Sequence, residues 1–283
     1  MFGRTGQVAR ELARRCPSGM EATFLDRQDA DLSDPAACAA VVRGADADCV
    51  VNAAAWTAVD RAEAEEATAT TVNGEAPGAM AKACAERDLP FLHLSTDYVF
   101  DGTGTRPFVP EDPAAPLGAY GRSKLAGEIA IRASGARHVI LRTSWVVSAH
   151  GSNFVKTMLR LGGERASLRV VDDQVGGPTP AAGLADALFA AADTMVAGHA
   201  GGTHHFAGAP DASWADVARA TMQAAGLSCR IDPIPSSDYP TPARRPLNSR
   251  LDCSSFSRNF GMERPDWRSG VTAIVNELQG ATR

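Results

Sequence analysis

Two short apolar runs, Asp48-Cys49-Val50-Val51-Asn52-Ala53-Ala54 and Pro90-Phe91-Leu92-His93-Leu94-Ser95, constrain the fold more than any other feature of this chain. Each reads as a buried strand, and an alanine-rich helix from Gly74 to Ala85 lies between them. A helix over Leu117 to Arg132 then leads to a further strand, Val139-Ile140-Leu141-Arg142-Thr143. Strands alternating with helices imply a parallel sheet covered on both faces. Nearer the start, Gly3 to Cys16 reads as a tight turn entering a helix with Val8, Leu12 and Ala13 on one face. Ala22-Thr23-Phe24-Leu25 is a short apolar run ending at Asp26, and Asp34-Pro35 opens a second helix with proline at its first position.

Gly3-Arg4-Thr5-Gly6-Gln7-Val8-Ala9 is a G-x-x-G turn. Such a turn brings backbone N–H groups and a helix N-terminus to a pyrophosphate, so the α/β fold is expected to be a Rossmann-like doubly wound sheet. Asp26 follows about 20 residues on, where a carboxylate accepts hydrogen bonds from an adenosine ribose. Arg27 beside it could accommodate a 2′-phosphate, which leaves NADH and NADPH both open. Only Met1 and Phe2 precede Gly3. That is short of the about five residues of a central strand, so the first strand is expected to be truncated and the native chain to begin upstream.

After about Gly151 the pattern loosens into helical segments (Phe154 to Leu161, Ala181 to Ala197, Trp214 to Ala225) between glycine- and proline-rich stretches. The expected division is a dinucleotide-binding domain over 1–150 and a second, smaller one over 151–283, with segments of the latter returning to the sheet. Pro233 to Pro246 holds five prolines and reads as a stiff, exposed connection.

A net charge of −5 provides no basic stripe for nucleic acid. No apolar stretch reaches the length of a membrane span, and no signal-peptide pattern opens the chain. The six scattered cysteines form no C-x-x-C pair, which favours reduced thiols in a cytoplasmic protein. His204 and His205, adjacent on a strand, face opposite sides and make no metal pair. Glu63, Glu65 and Glu66 read as a solvated helix start, and Trp214 and Trp267 as packing residues.

The chemistry concentrates in Ser95-Thr96-Asp97-Tyr98-Val99-Phe100 and Tyr120-Gly121-Arg122-Ser123-Lys124. Tyrosine and lysine four apart share a helical face. Tyr120 is the expected proton donor, with Lys124 supplying the charge that draws its pKa down from about 10. Thr96 is expected to hydrogen-bond the oxygen of a ketone receiving hydride.

These segments, with Asn52-Ala53-Ala54-Ala55, Thr57-Ala58-Val59-Asp60, Lys124-Leu125-Ala126-Gly127-Glu128, Arg142-Thr143-Ser144-Trp145-Val146 and Pro240-Thr241-Pro242-Ala243-Arg244-Arg245-Pro246, resemble the dTDP-4-dehydrorhamnose reductase family. Asn153-Phe154, Met158, Asp172-Asp173-Gln174 and Gly177-Pro178-Thr179 extend the match from Gly3 to about Leu278. The resemblance implies an extended short-chain dehydrogenase that reduces the 4-keto group of dTDP-4-dehydro-L-rhamnose with NADPH or NADH. By position it implies Tyr120 as acid, Lys124 as its partner, and Thr96, Asp97 and Trp145 as sugar contacts. It sets Gly6, Gln7, Val8, Asp26, Asp31, Leu32, Ala55, Trp56 and Thr57 around the cofactor, and Arg244 and Arg245 on the nucleotide diphosphate. Trp56 stands where the family commonly has histidine. Some members dimerise around magnesium through several glutamates; Glu11 and Glu277 match, but Ala182 replaces another acid, so no metal ligand set is assigned and a homodimer is left open. The alternatives are an epimerase or reductase of another nucleotide sugar, and a non-catalytic regulatory subunit of the same fold.

Overall fold

The computed structural model describes residues 1–280. Four parallel strands form the main sheet in the order β1 (Val50–Asn52), β2 (Phe91–Thr96), β3 (His138–Thr143), β8 (Gly201–His205). Val51 pairs with Leu92, Leu92 with Val139, and Val139 with Gly202. The sheet continues past β1 through single parallel bridges from Phe2 to Asn52 and from Phe2 to Leu25. Phe2 N–H donates to Val51 O (2.8 Å) and Phe2 O accepts from Ala53 N–H (3.0 Å); on its other side Leu25 N–H reaches Met1 O (2.9 Å) and Gly3 N–H reaches Leu25 O (3.0 Å). The first strand is thus as short as the sequence implies, yet four hydrogen bonds seat it in the middle of the sheet. The chain order reverses between Phe2 and β1, and doubly wound sheets open a ligand crevice at such a point.

Alternation along the strands builds both cores. Val51, Leu92, Val139 and Leu141 face α1 (Gln7–Arg15) and α8 (Ala181–Val196), meeting Val8, Leu12, Leu184 and Leu188. Val50, Phe91 and Ile140 face the opposite layer, α2 (Pro35–Gly44), α5 (Ala76–Glu86) and α6 (Ala119–Ala133), meeting Val42, Met80 and Ile131. As expected, Pro35 takes the first turn of α2, and Asp34 caps it by accepting from Ala37 N–H. Short helices α3 (Val59–Ala62) and α4 (Glu66–Thr70) precede a π-helical turn, Thr71–Glu75, that runs into α5.

Beyond β3, β4 (Val146–Val147) pairs with β7 (Thr179–Pro180), and β6 (Val175–Gly176) lies between β9 (Ala212–Ser213) and β11 (Asn248–Ser249). A separate parallel pair joins β5 (Ser167–Val171) to β10 (Arg230–Ile234). Pro233 therefore sits inside a strand opposite Val170, and the stiff connection begins only after it. Helices α7 (Phe154–Glu164), α9 (Trp214–Ala225), α10 (Ser254–Phe260) and α11 (Trp267–Gly280) complete this part. A Ser213–Asp216 capping box starts α9 and Gly226, left-handed, ends it. β8 is the late segment that returns to the main sheet. Among the described residues no helix is long and apolar enough to cross a membrane.

Candidate active site

A cleft of about 700 Å³ opens where the strand order reverses. Gly3, Gly6, Gln7, Val8, Asp26, Asp31, Leu32, Ala55, Trp56, Thr57, Tyr120 and Lys124 all line it. Gly3 is left-handed (φ +107°), and a side chain there would press on the Ala53 backbone at 3.3 Å. At Gly6, the N-cap of α1, an added Cβ would meet nothing within 4 Å, and no side chain caps the helix. An uncapped helix N-terminus opening on free space fits a pyrophosphate. Asp26, at the rim, accepts from Gln28 and Asp29 N–H, and Arg4 lies at 3.3 Å; these contacts hold its carboxyl below the usual carboxylate range. Arg27 pairs with Asp31 at 2.9 Å, whose pKa is lowered to about 2, first by Ser33 N–H and then by Arg27. Two exposed guanidiniums thus stand with two carboxylates at the cleft rim, a set that suits an adenosine ribose with or without its 2′-phosphate.

Tyr120 and Lys124 stand one turn apart on α6 and face this cleft. Three contacts outside the helix fix its start. Glu63 accepts from Ala119 N–H at 2.9 Å, Glu66 pairs with Arg122 at 2.6 Å, and Gly121 lets the helix touch the Tyr98 carbonyl. Glu63 and Glu66, solvated as expected, thus also anchor α6, while Glu65 pairs with Arg61. Asn73, on the π turn, accepts from Trp56 N–H (2.8 Å) and donates to Trp56 O and Ser123 Oγ (both 3.0 Å). It ties the cleft wall to α6, and a π turn is a frequent device at functional sites.

The electrostatics differ from the expectation in one respect. Burial pushes the Tyr120 phenol up, with Thr96 pulling it partly back. The Lys124 amine is turned inward instead, 2.7 Å from Leu94 O and 3.0 Å from His93 Nε2, and burial lowers its pKa to about 8. His93 is fully buried and in turn contacts Asn52 at 3.1 Å.

Thr96, Asp97, Trp145, Arg244 and Arg245 lie outside the cleft lining. Thr96 Oγ1 donates to Asp97 Oδ1 (3.1 Å) and accepts from Tyr98 N–H. Asp97 is buried, and its pKa is raised to about 6 by burial. Its Oδ2 and the Ser249 Oγ are both buried without a hydrogen-bond partner; Ser249 is near enough to draw the pKa down without closing a bond. Trp145 has φ +51°, strained for a bulky residue, and its ring stacks on Trp214 with centroids 3.8 Å apart. Trp214 is thus a brace for Trp145, while Trp267 is fully buried as expected. Arg245 bonds Asp60 (2.8 Å) and Tyr98 Oη (3.3 Å), and Tyr98 meets Tyr120 edge-on, so this arginine joins the site through two residues. Arg244 is exposed. His204 and His205 do face apart, towards Phe256 and Phe260 on one side and towards Phe100 and Arg142 on the other.

A glycine turn and a tyrosine–lysine pair meeting at one crevice define an extended short-chain oxidoreductase that uses a nicotinamide cofactor. Residues 1–280 match the family described as RmlD substrate binding domain. A dTDP-4-dehydrorhamnose reductase from Burkholderia thailandensis is 45% identical, covering 98% of this chain and 97% of that protein. The Escherichia coli K12 protein of the same name is 43% identical over the same shares. A crystal structure of such a reductase from Clostridium acetobutylicum superposes with a TM-score of 0.92 at 32% identity, covering 98% of both chains. One from Bacillus anthracis, in complex with NADP, gives 0.90 at 29%, covering 98% of this chain and 97% of that one. The chain belongs to the dTDP-4-dehydrorhamnose reductase family.

Proposed function

We propose that this protein reduces the 4-keto group of dTDP-4-dehydro-L-rhamnose to give dTDP-L-rhamnose, with Tyr120 as the proton donor. The observation that carries this reading is the shared helical face of Tyr120 and Lys124, open to the same cleft as the Gly3–Gly6 turn. The bound nicotinamide supplies the hydride. Tyr120 delivers its proton to the oxygen at C4 as the carbonyl becomes a hydroxyl. Thr96 steadies the developing negative charge by turning its hydroxyl from Asp97 to that oxygen. The unpartnered Asp97 Oδ2 and Ser249 Oγ suit a ligand bearing several hydroxyls, since buried polar atoms are otherwise almost always satisfied. Trp145, stacked on Trp214, offers a flat wall beside them.

Arg244 and Arg245 suit the nucleotide diphosphate, a guanidinium fork matching phosphate oxygens. In this reading residues 1–150 hold mainly the cofactor and residues 151–283 mainly the substrate. The six cysteines are free thiols, as a cytoplasmic enzyme would carry them. The test is Tyr120→Phe, assayed by NADPH and NADH consumption with dTDP-4-dehydro-L-rhamnose. Turnover is expected to vanish while cofactor binding persists; turnover at the wild-type rate would remove Tyr120 from its role.

A further inference from the structure

We infer that Asn52 and His93 form a hydrogen-bond chain of fixed direction that presents an N–H donor to Lys124 and so biases its side chain towards the uncharged amine in the free protein. The inference rests on Lys124 being part of the active site, as proposed above, and makes His93 a positioning residue.

The direction follows from counting donors. Ala54 N–H can only donate, and it meets Asn52 Oδ1 at 3.1 Å. The amide is thereby oriented, and its NH₂ faces His93 Nδ1 at 3.1 Å. The His93 imidazole is fully buried, and desolvation followed by the neighbouring Lys124 pushes its pKa well below the usual value. It is neutral, with one donor nitrogen and one acceptor. Nδ1 must accept from Asn52, so the proton sits on Nε2, which lies 3.0 Å from Lys124 Nζ. An ammonium has three donors and no acceptor, whereas an amine has a lone pair to receive that N–H. The amine keeps hydrogen for Leu94 O at 2.7 Å. Charging Lys124 sets donor against donor at His93. Shifting the proton to Nδ1 moves the clash to Asn52, and turning the Asn52 amide moves it to Ala54 N–H. Nowhere along the chain does it disappear.

The other ionisable groups around Lys124 do not cancel this bias. Glu128, one turn further along α6, raises the pKa of Lys124, but its carboxylate is held by Arg142 at 2.7 and 2.9 Å and by Ser95 at 2.6 Å. Tyr120 stays protonated, since its pKa is raised. Burial, the largest influence on Lys124, acts in the same direction as the chain.

The chain has only three lysines, Lys82, Lys124 and Lys156, so the Nζ signals of the ¹⁵N-lysine-labelled protein without cofactor can be followed singly, with Lys124→Met as the assignment control. Lys124 is expected to titrate at least a unit below the usual lysine value of about 10.4. Histidine ¹⁵N spectra, assigned by the loss of signal in His93→Gln, are expected to show His93 protonated at Nε2 and bare at Nδ1 above about pH 8, where Lys124 is mainly the amine. In His93→Gln, whose amide oxygen can turn to an ammonium, the Lys124 titration is expected to move up by about a unit. A His93 proton on Nδ1 above that pH, a charged imidazole, or a Lys124 titration at the usual lysine value of about 10.4 would overturn the inference, and the wild-type spectra decide it even if His93→Gln fails to fold. Full turnover by Lys124→Met would instead defeat the reading of Lys124 as an active-site residue while leaving the spectra intact.

Discussion

Gly121 follows the proposed acid directly, and its lack of a side chain sets where the acid stands. A Cβ built there would lie 2.2 Å from the Tyr98 carbonyl oxygen and 2.8 Å from Pro116 Cβ. The first contact is more than 1 Å short of ordinary van der Waals approach, and it is made with backbone, which cannot swing aside as a side-chain tip can. In Gly121→Ala the start of α6 must move by roughly 1 Å, a misplacement of the kind that costs about 100-fold in rate, or about 2.7 kcal/mol of barrier. Overpacking should also remove about 1–3 kcal/mol of stability. The two effects separate if kcat/KM for dTDP-4-dehydro-L-rhamnose is measured well below the melting temperature of the variant. Gly163→Ala is the control, because a Cβ at that exposed position in α7 meets nothing within 4 Å. It should leave turnover unchanged and stabilise by about 0.5–1 kcal/mol, as glycine-to-alanine changes in helices do. Wild-type turnover in Gly121→Ala would show that the approach of α6 to Tyr98 does not set the position of Tyr120.

Two further predictions concern buried charge. Asp97 has a folded-state pKa of about 6, raised by burial from 3.8, so its ionisation penalises folding: stability is full below about pH 4 and falls as pH rises through 6. Asp97→Asn should therefore melt higher than wild type at pH 8 and no higher at pH 4, by up to about 3 kcal/mol at 1.36 kcal/mol per unit; equal melting at pH 8 would contradict the assigned cause. At Glu128 burial raises the pKa, but Arg142, Ser95 and Arg132 together outweigh it and the net shift is down, so this stability is present above pH 4.5 and lost as pH falls below. Arg142→Met leaves that carboxylate buried without its bidentate partner and should cost about 3–5 kcal/mol, measured by denaturant unfolding at pH 7; a loss under 1 kcal/mol would refute the pairing.

Local pattern was enough for most of the fold. The α9 boundaries, Trp214 to Ala225, are legible because a serine cap and a left-handed glycine frame an amphipathic run. That Gly3, Gly6 and Asp26 would line one cleft was legible because a glycine turn and a strand-end acid have a characteristic spacing. Residues whose meaning depends on a distant partner were not. Asn73, just before the expected Gly74 to Ala85 helix, carries no signal in the sequence; the π turn brings it to Trp56 and Ser123. His93 is indistinguishable from its apolar strand neighbours until Asn52 and Lys124 meet it, 41 and 31 residues away in sequence. Asp60 holds Arg245 and the Ala243 N–H from 185 and 183 residues away. Only the Thr57-Ala58-Val59-Asp60 motif hinted that this aspartate mattered.

The raised pKa of Tyr120 bears on the direction of the chemistry. An acid that must exchange protons in both directions near neutrality needs a pKa near the operating pH. A group that only delivers a proton must carry it beforehand and meet a stronger base at the moment of reaction. Hydride addition to a ketone makes an alkoxide, a stronger base than a phenolate, so in the proposed role the transfer from Tyr120 would run downhill even from a phenol whose pKa burial has raised. Turning Lys124 away from Tyr120 in the free protein therefore costs the reduction nothing at the proton-transfer step.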